Sequence, residues 1–237
     1  MEYTLQELNE YALIIDFGHI ISEERLLHIQ TICSYLENEP FPWMVEIVPA
    51  FTTITLYYDP IKIVKITETY SRPYHFVANQ VHTLIQKIKL FELGEPRTIT
   101  IPVCYGGELG PDLEHIATYN NLSANEVIDI HSKSEYIVYM IGFAPGFPYL
   151  GGMSDKIFTP RRSTPRISIP AGSVGIAGGQ TGIYPIETPG GWQLIGQTPL
   201  ALFRPSESSP SLLHAGDRIK FMPISYKQFI HWEDDHQ

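Results

Sequence analysis

The stretch from Met140 to Phe203 constrains the fold more than any other part of the chain: MIGFAPGFPYLGGMSDKIFTPRRSTPRISIPAGSVGIAGGQTGIYPIETPGGWQLIGQTPLALF. It carries most of the glycines and a large share of the prolines. Glycine reaches backbone conformations closed to other residues and proline fixes φ, so neither supports a long helix. What remains is short strands joined by shaped turns, the pattern of a barrel corner or a rigid binding surface. Residues 141–200 hold four basic side chains, Lys156, Arg161, Arg162 and Arg166, against Asp155 and Glu187, inside a chain of formal net charge −10. A basic patch on an acidic protein points to a local anion site rather than to nucleic-acid affinity.

As a whole the chain reads as an ordinary soluble protein, 43% hydrophobic and 18% charged. Cys33 and Cys104 sit in apolar surroundings without CxxC or metal-type spacing, so both are expected to be reduced core residues. The start, MEYTLQELNE, is acidic and lacks the basic and apolar regions of a signal peptide. No apolar run reaches the ~18 residues of a membrane span. The expected location is the cytoplasm, with neither membrane nor nucleic acid as partner.

The expected architecture is α+β in two domains, residues 1–93 and 94–237. Tyr11–Phe17 reads as a strand, and Ser22 caps a helix with Leu26, Ile29, Ile32, Cys33 and Leu36 at helical spacing. Two strands follow at Trp43–Pro49 and Phe51–Tyr58, and Pro73 opens a second helix whose apolar face is Val77, Val81, Leu84, Ile85 and Ile88. That helix is expected to stop near Gly94. With Thr98–Val103 as a further strand, the order β-α-β-β-α-β is that of a ferredoxin-like split βαβ unit. Gly94-Glu95-Pro96 is the candidate linker. His19, His28, His75 and His82 are scattered without a matching ligand pair, so no metal site is expected.

Between the linker and the central stretch, Pro111-Asp112 starts a short helix, and Ser123 with Glu126 forms a capping box for the next. That second helix ends near His131. Asp112 reads either as a first-turn dipole partner or as a proton carrier. His131 reads either as a C-terminal cation or as a proton carrier.

Within the central stretch, GFAPGFPYLGG sets Phe143, Phe147 and Tyr149 on a rigid loop, either packed inward or lining a ligand groove. PRRSTPR places Arg161 and Arg166 on extended, proline-flanked backbone. Arginine's planar fork suits carboxylate or phosphate, although such arginines can equally pair with the chain's own acids. The turns at Gly172-Ser173 and Gly178-Gly179-Gln180 can turn backbone N–H groups toward an anion, or simply mark barrel corners. Trp192 reads as core. The chain has no GxxxxGK[ST], no GxSxG, no HExxH and no Cys/His cluster, so no P-loop, nucleophile elbow or zinc site is supported.

These motifs, GFAPGFPYLGG, PRRSTPR, IPAGSVGIAGGQTGIYP and PGGWQLIGQTP, preceded by CYGGELGPDL, make the chain resemble the family of 5-oxoprolinase B subunits. That family includes KipI, an inhibitor of a sporulation histidine kinase, and its members were long labelled allophanate hydrolase subunit 1. The similarity runs over essentially the whole chain. It implies an N-terminal α/β domain and a C-terminal cyclophilin-like β-barrel. By resemblance the chain works with subunits A and C to open 5-oxoproline to L-glutamate, with ATP and Mg²⁺ used by the complex and no cofactor evident in this chain alone. Arg161 and Arg166 are the expected ligands of carboxylate or phosphate. Ser173, Gly175, Gln180 and Phe147 are expected to place the substrate, with Asp112 or His131 moving a proton. The allophanate label does not fit, because Ser208-Ser209 lies in a SESSP loop with no lysine to complete a Ser-Ser-Lys site. Two other readings stay open: inhibition of a sensor histidine kinase through an exposed apolar patch on the barrel, and a stand-alone small-molecule binding module.

Overall fold

A computed structural model describes residues 2–67, 72–88 and 96–232. The chain divides into two compact units, Met1–Glu95 and Pro96–Gln237. The candidate linker residues Gly94 and Glu95, and the expected helix end near Gly94, lie outside the described residues.

The first unit runs β1 (Thr4–Asn9), β2 (Ala12–Asp16), α1 (Glu23–Asn38), β3 (Met44–Pro49), β4 (Thr53–Tyr58), α2 (Pro60–Thr67) and α3 (Pro73–Lys87). Its strands form an antiparallel sheet in the order β1-β2-β4-β3. Helix α1 starts where the sequence puts it, because the Ser22 side chain accepts from the Arg25 N–H at 3.3 Å. Its spaced apolar residues Ile29, Ile32 and Leu36 meet Leu13 and Ile15 of β2, Ile54 and Leu56 of β4, and Val77, Val81 and Leu84 of α3 in one core. Each such side chain contributes about 1.5–3 kcal/mol by leaving water. Strand β4 lies between β2 and β3, so β2, α1 and β3 form a split unit with β4 inserted.

The expected fourth strand of this unit is a correction. Thr98–Val103 does not join the sheet. Its place is taken by Thr4–Asn9, a strand with no buried residue and therefore no apolar alternation to read. The 98–103 segment belongs to the barrel, where Ile101 and Val103 are fully buried.

The second unit runs β5 (Thr98–Tyr105), α4 (Leu113–Tyr119), α5 (Ala124–Lys133), β6 (Tyr136–Ile141), β7 (Pro148–Gly151), β8 (Arg166–Ile169), β9 (Ser173–Ala177), β10 (Gln180–Ile183), β11 (Thr188–Gly190), β12 (Gln193–Gln197), β13 (Arg218–Pro223) and α6 (Tyr226–Ile230). Seven of these strands close a barrel in the order β10-β7-β6-β13-β5-β12-β9, consistent with a cyclophilin-like barrel. Closure depends on β13 and β5, which pair parallel from Arg218↔Thr98 to Pro223↔Val103. Strands β8 and β11 form a separate two-stranded sheet. Val174, Ile176, Ile195, Ile219 and Phe221 fill the barrel interior with Ile101 and Val103. Ser123 and Glu126 form both halves of the predicted capping box on α5. Both cysteines are buried and free, and burial pushes the Cys33 thiol up to about 12. No helix among the described residues is long and apolar enough to cross a membrane.

Candidate functional site

The aromatic residues of the central stretch meet around Phe147. After β6 the chain turns tightly, with Gly142 N–H donating to Phe147 O (3.1 Å) and Phe147 N–H to Ala144 O (3.0 Å). Phe147 is 2% exposed, and its ring lies edge-on to Phe143, Tyr149, Tyr184 and Trp192 at centroid distances of 5.1–5.5 Å. Such contacts suit the ring quadrupoles and bring about 0.5–1.5 kcal/mol each beyond area burial. Gly182 on β10 makes room for them, since a Cβ there would stand 3.0 Å from Phe147 and 3.1 Å from Trp192. Both alternatives for these aromatics are realised together: the cluster is core on one side and wall on the other.

On its open side the cluster bounds a cavity of about 360 Å³. Phe143, Phe147, Tyr149, Tyr184 and Trp192 supply its aromatic surface, Pro165 and the end of β11 at Pro189-Gly190-Gly191 a further wall, and Arg161 and Arg162 its cations. Phe143 is 64% exposed and holds φ +70°, a left-handed backbone that a bulky side chain adopts at a cost. Strain of this sort concentrates at functional sites. Burial lifts the Tyr184 phenol to about 12, against the opposing pull of the Trp192 backbone, Arg161 and Arg166, so it stays a neutral hydroxyl.

Behind the cations stands Asp112. Its Oδ1 accepts from Arg166 Nη2 at 2.8 Å and from Arg162 Nη1 at 3.2 Å, and its Oδ2 accepts from the Leu194 N–H at 2.6 Å. Asp112 N–H donates back to Leu194 O at 2.9 Å, which fastens the start of α4 to β12. Although it is the N-cap residue of α4, its side chain makes no capping bond. The side chain is spent on the arginines and the Leu194 amide instead of a capping bond, and a carboxylate holding three donors is positioned to orient arginines. The Arg162 N–H donates to Gly191 O at 2.7 Å, joining the arginine loop to the glycine turn across the cavity.

The predicted site residues divide accordingly. Arg161 and Phe147 line the cavity. Arg166 does not, because its guanidinium is turned to Asp112 and to Trp192 O (3.4 Å). Arg161 makes no ion pair or hydrogen bond among the described residues. Ser173, Gly175 and Gln180 lie on β9 and β10 outside the lining, with Gly175 backed against Trp192. His131 is fully buried, and its Nδ1 is 2.8 Å from Tyr105 Oη and its Nε2 3.0 Å from Thr181 Oγ1. Thr181 donates its own proton to Gly175 O at 3.0 Å, so it accepts from Nε2–H, and Tyr105 donates to Nδ1. Burial drops His131 to about 3. It is a neutral structural histidine inside the barrel, neither a helix-end cation nor a solvent-linked base.

Sequence reasoning missed Tyr184 and took Trp192 as core alone. Arg162 stands in the sequence only as one more positive charge. The one available signal was the glycine-proline setting shared by IYP and PGGW. Among the described residues no group of three His, Cys, Asp or Glu side chains comes together to hold a metal ion. A larger depression of about 800 Å³ in the first unit is bounded by Tyr3, Asp16, His19, Arg25 and His82. Within it Tyr3 Oη lies 2.6 Å from His82 Nδ1, and the Gly18 N–H donates to Asp16 Oδ1 at 2.8 Å.

Residues 3–213 match the carboxyltransferase domain, subdomain C and D, family. The chain is 51% identical over 236 residues to the B subunit of 5-oxoprolinase from Bacillus subtilis (strain 168), covering 99% of this chain and 98% of that one. The crystal structure of PH0987 from Pyrococcus horikoshii is 44% identical with a TM-score of 0.55, over 95% of this chain and 100% of that one. The TTHA0988 structure is 34% identical with a TM-score of 0.76 over 90% of this chain, which spans only 40% of that longer polypeptide.

Proposed function

The chain belongs to the 5-oxoprolinase B-subunit family of carboxyltransferase subdomain C and D proteins, and from that membership we propose that it is the B subunit of an ATP-dependent 5-oxoprolinase. It acts with subunits A and C, in the cytoplasm, to open 5-oxoproline to L-glutamate. The observation that carries this reading is the 51% identity to a 5-oxoprolinase B subunit across 99% of the chain.

The chemistry asks for an anion site. The lactam is a stable amide, and its opening by water needs an activated carbonyl beside groups that hold negative charge. ATP with Mg²⁺ supplies that activation at the level of the complex. The pocket here does not fit a Mg²⁺-nucleotide from its own residues, since its lining holds no carboxylate among the described residues, and Asp112 behind it already holds two guanidiniums and an amide. What this chain contributes is recognition of a small anion: Arg161 at the cavity wall without an ion-pair partner among the described residues, Arg162 and Arg166 fixed by Asp112, and an aromatic wall beside them. The test is to mix the chain with its two partner subunits and follow ATP-dependent conversion of 5-oxoproline to glutamate. Absence of product with all three present overturns the reading.

A second reading, binding of a sensor histidine kinase, is favoured by Ile167, 92% exposed on the strand that carries Arg166, and by exposed Phe143 at the cavity. Kinase autophosphorylation measured with and without the chain separates the two.

A further inference from the structure

We infer that the cavity holds the lactam substrate itself, with Arg161 anchoring its carboxylate and the Phe147, Tyr184 and Trp192 rings enclosing its ring. This rests on the 5-oxoprolinase reading and names which component of that reaction the pocket takes.

Three observations select this occupant over a phosphate-bearing one. The first is charge. Of the three guanidiniums near the pocket, Arg162 and Arg166 share the Asp112 carboxylate, which leaves Arg161 as the cation with no partner among the described residues. A single free guanidinium matches one carboxylate, bound through its planar fork. A triphosphate needs several cations or a metal ion.

The second is surface. Aromatic rings and prolines form most of the lining, which suits the apolar methylenes of a small saturated ring and gives nothing to a polyphosphate. The third is size. About 360 Å³ lies at the small end of the roughly 300–1,000 Å³ typical of small-molecule sites. Arg162 donates one of its N–H groups to Asp112 and also lines the cavity, so its other donors remain for the lactam oxygen. The neutral Tyr184 hydroxyl lies on the same wall.

The test uses the Trp192 indole as reporter, its NMR signal told apart from those of Trp43 and Trp232 by Trp192→Phe. The full chain, alone and assembled with its partner subunits, is titrated with 5-oxoproline, with 2-pyrrolidinone, which lacks the carboxylate, and with ATP. The expected result is a saturable Trp192 shift with 5-oxoproline, binding at least tenfold weaker for 2-pyrrolidinone, and no Trp192 shift with ATP. Arg161→Ala weakens 5-oxoproline binding at least tenfold and leaves 2-pyrrolidinone binding unchanged. Lys156→Ala, outside the cavity, changes neither. A Trp192 signal silent to 5-oxoproline in both chain and complex, or one that moves with ATP, overturns the inference. If the complex cleaves 5-oxoproline while Trp192 stays silent, the pocket assignment falls and the enzymatic reading stands. If Trp192 responds and the complex is inert, the enzymatic reading falls and the pocket assignment stands.

Discussion

Asp112 accepts a 2.8 Å hydrogen bond from Arg166 across 54 residues of chain, and the same oxygen accepts from Arg162 at 3.2 Å. One carboxylate thereby fixes Arg166, one of the two arginines that the sequence offers as anion ligands, together with Arg162, and leaves Arg161 to face the cavity. Asp112→Asn puts an amide between two guanidiniums. It should cost about 2–3 kcal/mol, less than the ~3–5 kcal/mol of a fully buried pair, because Arg162 and Arg166 keep 38% and 23% side-chain exposure. Urea unfolding should show a lower midpoint with an unchanged slope. A midpoint equal to wild type would mean the cluster holds nothing in place.

His131 makes stability depend on pH. Its ordinary value of 6.5 falls to about 3 in the folded chain, so between those values the unfolded chain binds a proton that the folded chain does not. Stability is complete above about pH 6.5 and falls as pH drops toward 3, by about 1.4 kcal/mol per pH unit. Between pH 7 and pH 5 this group alone should remove about 2 kcal/mol. His131→Gln should flatten the wild-type decline by that amount, whatever its own stability. Equal declines in the two proteins would contradict the buried neutral histidine.

Gly190 and Tyr184 are coupled by space. A Cβ on Gly190 would collide with the Tyr184 hydroxyl and approach Ile169 to 2.7 Å. Gly190→Ala should destabilise by about 1–3 kcal/mol through overpacking. Combining it with Tyr184→Phe should recover at least about 0.5 kcal/mol relative to the sum of the two changes. Strict additivity in a denaturation double-mutant cycle would contradict the contact.

Phe143 carries its strain for the pocket. At φ +70° and 64% exposed, it gives up a backbone preference of about 1–2 kcal/mol and buries little in return. Phe143→Gly relieves the backbone, offset by the ~0.5–1 kcal/mol that glycine loses in freedom on folding. With the Phe143–Phe147 ring contact also lost, at about 0.5–1.5 kcal/mol, stability should change by no more than about 1 kcal/mol, while 5-oxoproline binding weakens severalfold. A clear loss of stability would make Phe143 an ordinary core residue.

The sequence shows α1 and α3 of the first unit and the shaped character of the central stretch, because those features are local, whereas α2 (Pro60–Thr67) is not announced in it. Ile29, Ile32 and Leu36 repeat at helical spacing and are buried. Ser123 and Glu126 sit three apart and cap each other. What lay hidden depends on pairing between distant residues. Strand β1 has no buried face to announce it, and the 98–103 strand is claimed by β13, which arrives only at Arg218. In the site, nothing near Asp112 in the chain announces Arg162, Arg166 or the Leu194 amide. His131 sits at a helix end that suits a cation, and its burial comes from packing against Tyr136 and Phe221.

The central claim is that this chain supplies the substrate-anion contact of a three-subunit 5-oxoprolinase through Arg161. The most direct measurement is kcat/KM for ATP-dependent 5-oxoproline cleavage by the reconstituted complex, with wild-type chain and with Arg161→Ala. Loss of a charge-assisted contact of about 1.5–3 kcal/mol predicts a fall of roughly ten- to a hundredfold. A complex carrying Arg161→Ala that turns over 5-oxoproline as well as wild type would contradict the claim.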